Sequence, residues 1–433
     1  MTGPRRGTQP GSSILADSVR AEVEELLGPV DDHLERTYPG ASPARQPVHT
    51  VYVPADRYRP GLTRQWGQQA LAAIAGAAPT DAPEQEPAGM DAFLDAAGIR
   101  DALRPAITEK VARKLVTEPI EDLRIDFEDG YTRPGSAEDD EALAAAQSLR
   151  ADIEAGQAAP FVGIRFKCLE RATRQRGLRT LEVFLTELVR TGELPSGLRL
   201  TLPKVSAPAQ VEAMTRICAG LEDALGLPGG RLRFEVQIET PQAILGADGS
   251  TAVAQMVHAG AGRVSGLHYG TYDYSASLGI AGAYQSMEHP AADHAKAIMQ
   301  LAAAGTGVHL SDGSTNVLPV GSPEQVQSAW ALHARLVRRS LERGFYQGWD
   351  LHPAQLPTRY AATYAFYRES MPEAATRLRA YLGGEQGGVL DEPATARALA
   401  WFLLRGLDCG GIDAAELADH RIARPDLLRL VGR

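Results

Sequence analysis

The feature that most constrains this chain is an alternation of two hydrophobic rhythms. Short β-like runs recur at His49–Pro54, Leu123–Phe127, Phe161–Phe166, Leu198–Val205, Leu232–Ile238, Val264–Tyr269, Gly307–Leu310 and Gly348–Leu351. Stretches with helical spacing separate them. Leu181, Phe184, Leu185 and Leu188 fall on one helix face, as do Val326, Trp330, Val337 and Leu341 in a segment opened by Ser322, Pro323 and Glu324. Strands alternating with helices imply parallel βαβ units, because a parallel neighbour needs a crossover to reach it. Eight such units predict an α/β fold closed into a (β/α)8 barrel. The last two runs are short and poor in β-branched residues, so the strand signal is weakest there.

The 433-residue chain is long enough for such a barrel with additions. Its expected organisation is an N-terminal extension over 1–46, the barrel over 47–380 and a helical tail over 381–433. Residues 1–15 are rich in Gly, Pro and Ser and are expected to lack order. A helix follows from about Ser18 to Leu27. The Ala/Pro/Gln/Glu-rich stretch Ala72–Gly89 reads as a helix end and a flexible loop, and the pairs Gly383–Gly384 and Gly387–Gly388 read as a linker. In the tail, Ala396, Leu399, Ala400 and Leu403 form one stripe.

A net charge of −10 argues against nucleic acid as the main partner. The one local basic cluster is Arg171, Arg174, Arg176 and Arg179, which reads as a solvated loop or as a contact for the phosphates of a carrier such as coenzyme A. Cys168, Cys218 and Cys409 are far apart and odd in number, the pattern of reduced thiols rather than of a disulfide framework or zinc site. No apolar stretch approaches the roughly 18 residues that a membrane span needs. No signal-peptide pattern follows Arg5 and Arg6, so a cytoplasmic location is expected. P-loop, dinucleotide and serine-hydrolase motifs are missing from the sequence.

In a barrel, reacting groups belong at the carboxyl ends of strands, and polar residues concentrate there. The second run ends in Asp126, Phe127, Glu128, Asp129; the third carries Arg165 and Lys167; the fourth ends in Pro203 and Lys204. The fifth ends in Gln237, Ile238, Glu239, and the sixth runs into Gly270, Thr271, Tyr272, Asp273. Glu239 and Asp273 end adjacent runs. Two carboxylates with water and substrate oxygens suit Mg²⁺ or Mn²⁺, although each can also be an acid favoured by a helix N-terminus. Arg165 is a natural clamp for a substrate carboxylate, or an ion-pair partner for Asp126 or Glu128. Asp126, Glu128 and Asp129 cannot share a dry pocket without partners, and Arg165, Lys204 or metal-bound water are expected to supply them. Lys204 touches substrate, neutralises this patch, or is a surface lysine. His268 and His352 read as buried histidines or acid–base groups, and His333 as core.

Taken together these residues resemble the HpcH/HpaI aldolase and citrate lyase family, within the barrel superfamily that binds phosphoenolpyruvate or pyruvate. The resemblance spans about 47–360 and rests on an ordered set. That set is Tyr52-Val53-Pro54-Ala55, Asp126-Phe127-Glu128-Asp129, Gly163-Ile164-Arg165, Leu202-Pro203-Lys204-Val205, Val236-Gln237-Ile238-Glu239-Thr240, Tyr269-Gly270-Thr271-Tyr272-Asp273 and Leu351-His352-Pro353-Ala354-Gln355. It implies a divalent metal on Glu239 and Asp273, and Arg165 on the carboxylate of a 2-oxo acid such as glyoxylate, pyruvate or oxaloacetate. Gln237, Lys204 and the Gly270–Thr271–Tyr272 turn would lie around that acid, with Asp126, Glu128 and Asp129 in support. The aldolase branch carries a histidine where this chain has Asp-Phe-Glu-Asp, which favours the citrate lyase, malyl-coenzyme A lyase and malate synthase side and an acyl-coenzyme A thioester as second substrate. Those members use a late aspartate, for which Asp312, Asp408 and Asp413 are candidates. The family also implies a homo-oligomer, a trimer or hexamer. The expectation is a carbon–carbon lyase; the alternatives are a thioesterase or synthase on the same barrel, and a non-catalytic acid-binding barrel.

Overall fold

The computed structural model describes residues 15–75, 89–383 and 392–432. The stretches expected to be loose, residues 1–15, Ala72–Gly89 and the Gly383–Gly388 region, lie outside the described residues in all but their ends. Eight parallel strands follow one another around a barrel: β1 His49–Pro54, β2 Asp122–Asp126, β3 Phe161–Arg165, β4 Leu198–Leu202, β5 Phe234–Ile238, β6 Val264–Tyr269, β7 His309–Ser311 and β8 Gly348–Asp350. Every expected run overlaps one of them, with β2 beginning one residue before its run and β7 ending one residue after. β1 pairs with both β2 and β8. Between β7 and β8 the Asp312 N–H donates to the Gln347 carbonyl at 2.8 Å, and the Trp349 N–H donates to the Gly313 carbonyl at 3.1 Å. These bonds, with a parallel bridge between Ser311 and Gln347, bring β7 beside β8 and nearly close the ring.

Several strands are shorter than their hydrophobic runs, for reasons that lie in neighbouring elements. Lys204 adopts a left-handed backbone, φ 50°, and so leaves β4 behind. The Leu232 N–H is taken by the Glu222 carboxylate at 2.6 Å rather than by a strand. Gly307, at φ 76°, turns the chain before β7 begins.

Alternation puts Val51, Leu123, Ile125, Val162, Ile164, Leu200, Val236, Ile238 and Leu267 against the surrounding helices, all essentially buried. The residues facing into the barrel are unusual. Barrel interiors are dominated by branched apolar side chains, whereas here Arg124, fully buried, bonds to Asp122, to Thr201 Oγ1 at 3.0 Å and to Glu235 at 2.7 Å. Buried charges persist when paired and hydrogen-bonded, and this ladder satisfies that condition.

The helices follow their sequence patterns. Arg174–Arg190 buries Leu181, Phe184, Leu185 and Leu188. Pro323–Glu342 starts at an Ser322 N-cap closed by a capping box with Gln325, and buries Trp330, His333, Val337 and Leu341. The tail helix Pro393–Asp408 buries Ala396, Ala400 and Leu403 and packs on Leu356–Gly383, with the Phe402 and Tyr367 rings 5.1 Å apart. The N-terminal helix runs further than expected, Asp17–Thr37, and buries none of its residues. No helix among the described residues is long and apolar enough to cross a membrane.

Candidate active site

The carboxyl ends of β2 to β6 converge on one acidic, solvent-open mouth. Its rigid element is a fork: Arg165 donates from Nε to Asp126 Oδ1 and from Nη2 to Asp126 Oδ2, each at 2.7 Å, and both side chains are buried. The Asp126 oxygens also accept the N–H groups of Glu128 and Gly130 at 3.0 Å, so the β2 loop folds around its own aspartate. The Arg165 guanidinium lies 4.7 Å over the Tyr52 ring from β1. Burial opposes the charge on Arg165, but Asp126 outweighs it and holds the pKa well above the usual value. With two donors committed to Asp126, Nη1 is left facing Asp129 at 3.4 Å and Glu128 at 3.6 Å.

Lys204 occupies the centre. Its left-handed backbone aims its N–H at Glu239 Oε1, 2.7 Å away, while its Nζ reaches Asp129 at 2.8 Å, Glu128 at 2.9 Å and Asp273 at 3.5 Å. One lysine thus links both expected metal carboxylates with the β2 acids. Glu239 is 1% exposed, whereas the Asp273 side chain is 47% exposed, so the pair spans from dry interior to solvent. Gly270 makes this approach possible. A Cβ there would stand 2.5 Å from Glu239 Cβ and 2.8 Å from its Oε2, closer than any side chain tolerates.

Negative charge is in excess. Asp126, Glu128, Asp129, Glu239 and Asp273 face Arg165 and Lys204, and the remaining nearby cation, Lys167, is held by Glu138 at 2.8 Å. The carboxyl groups respond as crowded acids do. Burial pushes Glu128 up to about 8, helped by its contact with Asp129, while Asp129 is lowered. Burial also pushes Glu239 up to about 7, against the pull of Lys204 and Arg165 and with a further push from Asp273. Among the described residues no group of three or more His, Cys, Asp or Glu side chains is placed to hold a metal. Two carboxylates with open coordination are the donor set that Mg²⁺ accepts, since it keeps several of its waters.

Other expected residues sit elsewhere. Gln237 lies deeper in the barrel, where its amide donates to the Tyr52 hydroxyl at 3.2 Å and its buried Oε1 has no partner among the described residues. The Thr271 hydroxyl accepts the Ser314 N–H and the Tyr272 hydroxyl accepts the Asn316 N–H, so both side chains anchor the loop after β7. His268 is buried between Trp349 and Glu235. His352 caps the turn that follows β8, and His333 pairs with Asp350 outside the barrel wall. Each late aspartate is already engaged: Asp312 with Lys296 at 3.0 Å, Asp408 with Arg424 at 2.6 Å and Asp413 with Lys110 at 2.7 Å. In the arginine cluster, Arg176 and Arg179 both bind Asp139. The stacking role of Tyr52 had no signal in the sequence, because nothing local tells which side chain will lie across a barrel from an arginine.

The fold is a (β/α)8 barrel, and solved barrels share it. A citrate lyase from Burkholderia xenovorans superposes with a TM-score of 0.55 at 20% identity, over 72% of this chain and 92% of that one. A Haloferax volcanii malate synthase in a lead(II) complex gives 0.48 at 14% identity, over 89% and 97%. CitE from Mycobacterium tuberculosis, in complex with magnesium, acetoacetate and coenzyme A, gives 0.46 at 18%, over 85% and 100%. No curated protein matches the sequence. The chain belongs to the family described as Domain of unknown function (DUF6986), whose model matches residues 27–430.

Proposed function

We propose that this chain is a divalent-metal-dependent enzyme that makes or breaks a carbon–carbon bond beside a 2-oxo acid, with an acyl-coenzyme A thioester as second substrate. The observation that carries the reading is the charge imbalance at the carboxyl-terminal mouth, where Asp126, Glu128, Asp129, Glu239 and Asp273 gather around Arg165 and Lys204. An acid-rich site short of positive charge is suited to a dication. Glu239 and Asp273 would hold Mg²⁺ or Mn²⁺, whose chemistry there is Lewis-acid polarisation of the oxo group. The Arg165 Nη1 edge, fixed by Asp126 and Tyr52, is oriented to bind the acid's carboxylate. Lys204 holds Glu128 and Asp129 beside it, and Glu128 can carry a proton near neutral pH. Gly270, Thr271 and Tyr272 shape the backbone around the acid, and Gln237 supports Tyr52 from below.

The citrate lyase barrel supports the reading at the level of the fold. Three free, buried cysteines suit a cytoplasmic location. The helix Asp17–Thr37 exposes Val19, Val23, Leu26, Val30 and Leu34, a face suited to a homo-oligomer contact. The test is thermal unfolding with Mg²⁺ or Mn²⁺ against glyoxylate, pyruvate, oxaloacetate and their coenzyme A partners, repeated on Glu239→Ala and Asp273→Ala. A metal-dependent rise in Tm with one oxo acid, lost in both variants, is the expected result. No rise, or one that survives both substitutions, rejects the metal assignment.

A further inference from the structure

The opposite mouth of the barrel, where the strands begin, has the inverse electrostatics. A cavity of about 130 Å³, open to solvent, lies there among the first residues of the strands and the segment that leads into β1. Arg199, second residue of β4, and Arg233, just before β5, both line it, with His309 at the start of β7. Neither arginine has a carboxylate partner among the described residues. Arg199 donates to the Leu198 carbonyl at 2.8 Å and lies 5.8 Å over the Phe161 ring. The Nε of Arg233 is buried with no hydrogen-bond partner among the described residues.

The acids nearby are already engaged. Asp122 bonds Arg124 and the Thr50 hydroxyl, and Glu235 bonds Arg124, Thr201 and His268. Arg45, also on the rim, is consumed by Glu118 and Glu121. Burial lowers the pKa of Arg199, and that of Arg233 in the same way. His309 is driven down to about 4 by burial and then by Arg405, Arg199 and Arg233, so the imidazole is neutral at physiological pH. Partly buried guanidinium groups without counter-ions are costly and persist where something else supplies the charge.

We propose that the amino-terminal mouth of the barrel is a second ligand site, in which Arg199 and Arg233 clamp a small oxyanion of the phosphate or carboxylate class. The space admits an anion the size of phosphate or malonate, and two guanidinium forks match such oxygens in pairs. The site stands a barrel's length from Glu239 and Asp273 and needs nothing from the reading of that other mouth. Its occupancy contributes to the stability of the fold by mass action, so the protein senses the anion without consuming it.

The experiment measures Tm with EDTA present, titrating inorganic phosphate or, separately, malonate against sodium chloride of equal ionic strength. A saturable rise with either anion is expected, and which anion acts identifies the class. Arg233→Met and Arg199→Met should each weaken the response about tenfold or more, while Glu239→Gln should keep it. Arg233→Met should also fold at least as well as the parent without added anion, since it removes an unpaired charge. As an independent readout, the His309 imidazole should titrate at higher pH when the anion is bound. No rise beyond chloride, or a rise that survives both arginine substitutions, overturns the proposal. So does a rise lost in Glu239→Gln alone, which would put the anion at the other mouth.

Discussion

Replacing Glu239 by glutamine isolates the cost of the acidic mouth. The carboxyl is buried, and its pKa rises from an ordinary 4.5 to about 7. Between those values the folded chain keeps a proton that the unfolded chain has released, so stability falls as pH rises through the window and levels off above it. At about 1.4 kcal/mol for each tenfold change in proton affinity, the loss comes to about 3 kcal/mol. Glutamine keeps the oxygen that accepts the Lys204 N–H but does not titrate. Without metal, Glu239→Gln should therefore match the parent near pH 4 and exceed it by about 3 kcal/mol near pH 8. Glu128 is pushed up in both proteins, so its titration cancels in the difference. Urea unfolding in EDTA at a series of pH values measures the gap directly. Added Mg²⁺ should then raise the parent and leave the variant unchanged. A gap that is flat with pH, or a parent more stable than the variant near pH 8, would refute the assignment of Glu239 as an uncompensated buried acid.

Arg165→Met should strand Asp126 in the interior and cost about 3–5 kcal/mol, read by chemical denaturation, together with loss of any oxo-acid response. Gly270→Ala should keep the overall circular dichroism yet abolish metal-induced stabilisation, because the new Cβ collides with the Glu239 side chain; an unaltered metal response would contradict the close approach. The three thiols are buried, and burial pushes Cys218 and Cys409 up to about 12, so a thiol reagent should react with those two only on unfolding. Deleting residues up to Thr37 should change the sedimentation behaviour while leaving Tm nearly unchanged, since no residue of the Asp17–Thr37 helix is buried.

The eight strands and their order were legible in the sequence because strand and helix periods are local properties, set by which neighbours an apolar residue must share a face with. The same logic located Asp126, Glu128, Asp129, Arg165, Lys204, Glu239 and Asp273, since a parallel barrel carries every strand end to one mouth. What the sequence could not contain was the partner of each charge. Asp312 looks as free as Asp273 in one dimension, yet Lys296 and Ser340 enclose it, and Arg199 looks like any exposed strand arginine. Closure of the ring decides which groups meet across it, so Tyr52 comes to lie against Arg165 and Gln237, and Arg124 takes Asp122 and Glu235, the carboxylates that Arg199 feels. Periodicity fixes which face a side chain takes; only the closed barrel sums the charges on that face, and that sum made one mouth acidic and the other basic.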